Sequence, residues 1–220
     1  MRLSIFKNLH LGETCVIVCN GPSLNDVDSS KFNGKTVFCL NRGYLKKGLR
    51  YDYHVSIDDL IIRQFRDEFS QLNCDKFSGE RYAPDVYILR WTPDIPKFST
   101  DITKPIWQGH SVTNVALQIA FYMGFDTTYI VGMDHFISYD NTEKYGGKYK
   151  NLGEDKNHFS KDYFSGEAQY NHQNLAKVEL GYKMARLTYE RYGRKLFNAS
   201  TVTALSNDII PRCSIEELSK

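Results

Sequence analysis

No stretch of this 220-residue chain carries the roughly 20 consecutive apolar residues that a membrane-spanning helix needs. The opening segment, Met1 to Gly12, also lacks the apolar core of a secretory leader. The sequence therefore predicts a cytoplasmic protein without a transmembrane segment, with peripheral contact at the inner face of a membrane left open. One-sided charge is missing too: 28 Lys+Arg stand against 26 Asp+Glu, and a balance of +2 argues against a nucleic-acid partner. The five cysteines (Cys15, Cys19, Cys39, Cys74, Cys213) are odd in number, and the closest pair is spaced CxxxC inside an apolar stretch. That pattern fits neither a disulfide framework nor a zinc ribbon, so they read as reduced packing residues. Neither GxxxxGK[ST] nor GxGxxG occurs, which removes the Walker loop and the dinucleotide fingerprint. Internal repeats, low-complexity tracts and linkers are absent as well.

What is present is ordinary globular material, 41% hydrophobic and 25% charged, enough for a core and unlike a disordered chain. Aromatic residues reach 14%, with 15 Tyr and 13 Phe, and tyrosine adds to packing area a hydroxyl able to meet phosphate or sugar. Thr14 to Cys19 is a short apolar, β-branched run suited to a strand buried on both faces. It stops at Asn20-Gly21-Pro22-Ser23, and Asp26 to Asp28 can cap a short helix. Lys35 to Leu40 repeats the pattern and ends at Asn41-Arg42; Tyr53 to Ile57 ends at Asp58-Asp59. Leu60 to Leu72 has helical apolar spacing, whereas Cys74 to Trp107 is interrupted by four prolines, with only Asp85 to Leu89 reading as a strand. Ser111 to Met123 is an apolar helix stopped by Gly124, leading into the strand Thr127 to Val131 and its polar end, Gly132-Met133-Asp134-His135. Ser138 to Gly166 is polar, Tyr-rich and Gly-punctuated, longer than an ordinary connection, and reads as a lid or binding loop. Asn174 to Tyr192 forms a helix closed by Gly193, and Lys195 to Asn198 a last strand.

The predicted fold is thus α/β: a Rossmann-like, mostly parallel sheet flanked by helices, one domain over residues 1–220, with 138–166 as a long lid-like loop. Ligands of open α/β sheets bind at the carboxyl ends of strands, so the four polar strand ends should face one crevice. The turn Asn20-Gly21-Pro22-Ser23 reads equally as a phosphate cradle and as an ordinary tight turn. Asn41 can read a base or ribose edge and Arg42 can pair with phosphate, or both belong to a surface loop. Gly132 and Asp134 join the candidate nucleotide contacts by position. Asp58 and Asp59 are candidates for Mg²⁺, against the simpler reading of capping charge at a helix start. His135 and His158 are candidate proton acceptors, with Asp155, Asp162 and Tyr163 near His158 in sequence. No spacing of histidines matches a metal motif. Tyr139, Tyr145, Tyr149 and Tyr163 either donate to phosphate or pack the loop.

Asn20 to Leu24, Leu40-Asn41-Arg42, and the Ser111 to Gly124 helix leading into Tyr129 to Asp134 together resemble a superfamily with two branches. One comprises the archaeal 6-hydroxymethylpterin diphosphokinases; the other, the small bacterial sialyltransferases that use CMP-sialic acid. More closely, His158-Phe-Ser-Lys-Asp-Tyr-Phe164, Gly193 to Ala199 and Pro211-Arg212 resemble diphosphokinase-like proteins encoded among surface-polysaccharide genes. The sialyltransferase resemblance implies a CMP site in which Asn20, Gly21 and Ser23 meet phosphate and ribose, Asn41 the cytidine side, and Ser111 and Thr113 the nucleotide. It implies that Tyr139 or Tyr145 steadies the leaving phosphate and that His158 takes the acceptor proton; Tyr163 and His135 complete the candidate catalytic set from the reading of the residues. No metal is required in that reading. The function expected first is a glycosyltransferase that uses a CMP-activated, sialic-acid-like sugar in surface polysaccharide or glycoconjugate synthesis, with a glycan or lipid-linked acceptor. The alternative is pyrophosphoryl transfer from ATP with Mg²⁺ on Asp58, Asp59 or Asp134. A third reading is a nucleotide-binding protein without turnover. Homo-oligomerisation is left open.

Overall fold

The structure is a computed structural model that describes residues 2–140, 142–164 and 168–219. Its centre is β1 (Thr14–Val18), whose alternate residues go to opposite faces. Cys15 and Ile17 pack into one hydrophobic cluster and Val16 and Val18 into another, all fully buried. A short strand that is apolar on both sides is stable only when layers cover both faces, and helices supply them. The sheet has seven strands in the order β10-β6-β1-β2-β3-β4-β5, and all six pairings are parallel. The remaining strands are β2 (Thr36–Leu40), β3 (Tyr53–Val55), β4 (Asp75–Ser78), β5 (Val86–Ile88), β6 (Thr127–Val131) and β10 (Lys195–Asn198). The chain runs outward from β1 through β2 to β5, then returns to place β6 on the other side of β1. This reversal opens a crevice beyond the carboxyl ends of β1 and β6.

Three helices flank the sheet: α1 (Asp59–Ser70), α2 (Val112–Met123) and α3 (Leu175–Arg191). Eleven residues of α2, Thr113 to Met123, are buried. A helix apolar on every side has to lie between layers, and α2 sits between the sheet and α3. Gly124 ends it at φ +96°, and a Cβ there would press against the backbone of Asn8 and Leu11 at 3.1 Å.

Two departures from the sequence reading stand out. The tract expected as a loop carries an antiparallel sheet, β7 (Thr142–Tyr145), β8 (Lys148–Asn151) and β9 (Gln169–Asn171), with Gly146 and Gly147 at positive φ in the first turn. Asn141, Ser165, Gly166 and the Tyr145 side chain, all within the expected loop, lie outside the described residues. The other departure is β4, hidden in the proline-rich region because its second residue is a lysine. The Lys76 side chain is fully buried, bonded to Asp85 and to the Cys74 carbonyl.

His54, in β3, is buried beside this lysine. Its Nε2 donates to the Asn41 carbonyl at 2.8 Å and its Nδ1 accepts from the Tyr82 hydroxyl at 3.4 Å, so the neutral ring is satisfied on both nitrogens. Burial is the main cause that lowers its pKa to about 4, and the Lys76 charge lowers it further. The unfolded chain, with histidine near 6.5, then binds the extra proton first. Stability present above pH 6.5 is lost as the pH falls towards 4, by about 3 kcal/mol at most from this group. Urea midpoints measured between pH 7 and 4 are expected to fall more steeply in the wild type than in His54→Gln.

Candidate functional site

A cavity of about 600 Å³ lies at the carboxyl edge of the sheet, and all four polar strand ends contribute to it. Asn20 and Gly21 come from the end of β1, Asn41 from β2, Asp58 and Asp59 from β3, and Gly132, Asp134 and His135 from β6. Ser111 and Thr113 at the start of α2 line it as well, with Tyr139 and His158 from the segment over the mouth.

The β1 and β6 turns are locked together. The Gly21 N–H donates to the Gly132 carbonyl at 2.8 Å, and a Cβ on Gly21 would fall 2.6 Å from the Asp134 carboxylate. Gly132 is at φ +68°, with the Cys19 carbonyl 2.8 Å from where its Cβ would be. The Asp134 carboxylate accepts from the Ser23 N–H at 2.8 Å and from the Ser23 hydroxyl. The tight turn therefore cradles a carboxylate of the protein itself. This corrects the expectation for Ser23, whose two donors are occupied and which is absent from the cavity wall. Pro22 also stays outside, at the first position of a 3-10 turn, Pro22–Asp26.

Arg42 departs furthest from its expected role. It is buried, and its guanidinium donates to the carbonyls of Asp162 (3.1 Å) and Tyr163, bonds Tyr44 and Glu68, and lies 4.0 Å over the Phe65 ring. A guanidinium so engaged, with four of its five N–H donors spent on protein groups, braces residues 162–163, and Arg42 is absent from the cavity wall. Arg42→Leu leaves two carbonyls without a partner; a loss of about 2–3 kcal/mol is expected. Thermal melting and faster proteolysis around residues 155–164 would report it.

The neighbouring Asn41 is held differently. It sits at φ +45°, its N–H donates to the Val55 carbonyl, and its Oδ1 accepts from the Ser56 hydroxyl at 3.0 Å, leaving the Nδ2 edge to the cavity. Asn20 bonds the Leu40 carbonyl through Nδ2 at 3.0 Å.

At the start of α2, the Ser111 hydroxyl accepts from the Thr113 N–H and meets the Tyr182 hydroxyl at 3.0 Å. This caps a twelve-residue helix whose positive end abuts the cavity, which favours an anion there. Asp58 proves to be a cap as well: its carboxylate accepts from the Leu60 and Ile61 N–H groups and from Asn171 of β9 at 2.9 Å. Asp59 pairs with Arg63 at 3.2 Å. Among the described residues no three His, Cys, Asp or Glu gather closely enough to hold a metal ion.

Over the mouth, His158 lies flat on Tyr163, with ring centroids 3.9 Å apart and parallel planes. Its Nδ1 is 2.8 Å from Oδ2 of Asp155, a carboxylate wholly buried and held in turn by the Asn157 N–H. The carboxylate fixes the tautomer with the proton on Nδ1 and leaves the Nε2 lone pair without a protein partner among the described residues. Tyr163 is the platform of this arrangement. Its hydroxyl accepts from the Arg42 N–H at 3.2 Å, and burial raises its pKa well above the ordinary phenol range, which keeps the hydroxyl protonated. His135 has a carboxylate of its own, Glu179 at 2.9 Å from Nε2, but its side chain is 6% exposed against 23% for His158.

Asp155 was not singled out from sequence as a partner. Its place three residues before His158 is the one signal of it there. His110, His172 and Tyr182 also line the cavity without a sequence cue. Of the loop tyrosines, Tyr139 faces the cavity, stacked on His172 at 5.2 Å, and Tyr149, itself not in the wall, packs behind Tyr139 and Tyr170, which are.

The fold has a known counterpart. The chain is similar to the sialyltransferase CstII from Campylobacter jejuni, solved in complex with a substrate analogue, cytidine-5'-monophosphate. The match has a TM-score of 0.52 over 93% of this chain and 86% of that one, at 13% sequence identity. At that identity the likeness establishes the α/β fold. No protein-family model and no curated protein matches the chain. Among the described residues no helix is long and apolar enough to cross a membrane.

Proposed function

We propose that the chain is a nucleotide-dependent transferase, and specifically a glycosyltransferase whose donor is a CMP-activated, sialic-acid-like sugar. The observation that carries this reading is the Asp155–His158 pair, with its free Nε2 turned to a cavity at the switch point of the sheet. The fold it shares with a CMP-bound sialyltransferase supports the choice of nucleotide. In the proposed reaction His158 Nε2 accepts the proton of an acceptor hydroxyl as that oxygen attacks the anomeric carbon. The bond from that carbon to the phosphate oxygen breaks, and CMP leaves with the electron pair. Buried Asp155 stabilises the imidazolium that forms, while the α2 N-terminus faces the charge growing on the phosphate. Asn41 Nδ2 is the proposed contact to the nucleoside, with Asn20 and Gly21 lining that end of the cavity.

Pyrophosphoryl transfer from ATP would use the carboxylates of Asp58, Asp59 and Asp134. Two of these, Asp58 and Asp134, are already occupied by protein donors, which favours sugar transfer. A role in surface polysaccharide or glycoconjugate synthesis is part of the same proposal, with a glycan or lipid-linked acceptor.

A nucleotide panel tests it directly, because a ligand selective for the folded state raises the melting temperature. CMP and CTP are expected to stabilise the protein with EDTA present, by more than ATP does with Mg²⁺. The opposite order would put the diphosphokinase reading ahead of sugar transfer, and stabilisation without any donor turnover would leave a binding protein.

A further inference from the structure

A second cavity, of about 660 Å³, lies at the opposite edge of the sheet, beside the amino ends of β2 and β3. One strand, roughly 17 Å, separates the two edges. Lys35, Lys46, Lys47 and Arg50 line this cavity together with Asp28 and Asp52. Both acidic residues are exposed, and each carboxylate accepts hydrogen bonds from the protein. Asp28 accepts from the Ser30 N–H and hydroxyl as the cap of a 3-10 turn, and Asp52 accepts from the Val37 N–H at 2.8 Å.

The four cations have no carboxylate within ion-pair distance among the described residues. In a chain balanced to +2 overall, four cations against two carboxylates around one concavity are a local excess of positive charge. Their mutual repulsion is unfavourable in the empty site and is relieved by an anion placed among them.

We propose that this cavity binds a phosphate-bearing ligand with at least two negative charges, independently of the transfer site. Two sources share this chemistry, a soluble diphosphate and the headgroup of an anionic lipid. Inorganic pyrophosphate, followed by titration calorimetry, probes the first. Co-sedimentation at pH 8 with vesicles containing phosphatidic acid, whose phosphomonoester carries up to two charges, against phosphatidylcholine alone, probes the second.

Lys47 and Arg50 are exposed, so Lys47→Glu with Arg50→Glu is expected to fold and to keep the wild-type melting temperature. Wild-type binding to at least one probe is expected, weakening as salt is raised. The double reversal should weaken it at least tenfold, about 1.4 kcal/mol. Loss in the pyrophosphate experiment identifies a soluble phosphate; loss confined to anionic vesicles identifies the headgroup. Lys35→Gln with Lys46→Gln, which removes charge without reversing it, should weaken the same probe. The proposal is overturned if the wild type binds neither probe at low salt, or if binding survives both pairs of substitutions, which would place it at another site.

Discussion

His158→Ala is expected to lower donor turnover by about 10² to 10⁴-fold, the range over which a positioned general base acts, while CMP affinity changes by less than about threefold. The separation of the two effects follows from geometry. The imidazole is held by Asp155 on Nδ1 and by the Tyr163 face below, and only Nε2 is left for a ligand. Removing the ring deletes a proton acceptor and leaves the strand ends in place. Asp155→Asn should be affected as well, because an amide can present its N–H to Nδ1 and turn the lone pair the wrong way. Release of CMP from a donor, followed with and without an acceptor, gives the rate; calorimetry with CMP gives the affinity. Turnover unchanged in His158→Ala would remove it as the base and move attention to His135, whose carboxylate partner is Glu179.

Gly21→Ala is the substitution expected to damage the fold most. A methyl there meets the Asp134 carboxylate at 2.6 Å and the Gly132 carbonyl at 2.7 Å, and the latter is backbone that moves only if β1 and β6 part. Overpacking of this kind typically costs about 1–3 kcal/mol and occasionally more. In a chain of this size, each kcal/mol lowers the melting temperature by about 2–4 °C. A fall of about 5–10 °C, with weakened CMP binding, is the expected outcome. A variant that melts within a degree of the wild type would show that the two turns can separate at little cost.

The parallel sheet was legible because its central strands are short apolar runs closed by polar turns. Thr127 to Val131 and Lys195 to Asn198 match β6 and β10 residue for residue, and α2 begins one residue after its predicted start because Ser111 is the cap. β4 was not legible, since Lys76 breaks the apolar run and its partner Asp85 lies on the far side of a turn. The small antiparallel sheet was missed for a related reason: Thr142 to Tyr145 and Lys148 to Asn151 have no consistent apolar face, so period-2 burial leaves no trace in the sequence. At the site, residue types at strand ends located the cavity, but whether a polar group faces the cavity or a neighbouring element is a matter of tertiary contacts. Asn41 and Arg42 are adjacent in sequence, yet one presents an amide edge to the cavity and the other is buried against the carbonyls of Asp162 and Tyr163.

Asn41 also bears on how a ligand is met. Its carbonyl is held by buried His54, its side-chain oxygen by Ser56 and its N–H by the Val55 carbonyl. A freely rotating side chain loses about 0.5–1.5 kcal/mol when a ligand immobilises it. Here the rotor is frozen before anything arrives, so encounter at this point demands little further ordering, and its selectivity rests on the shape and polarity of the incoming group.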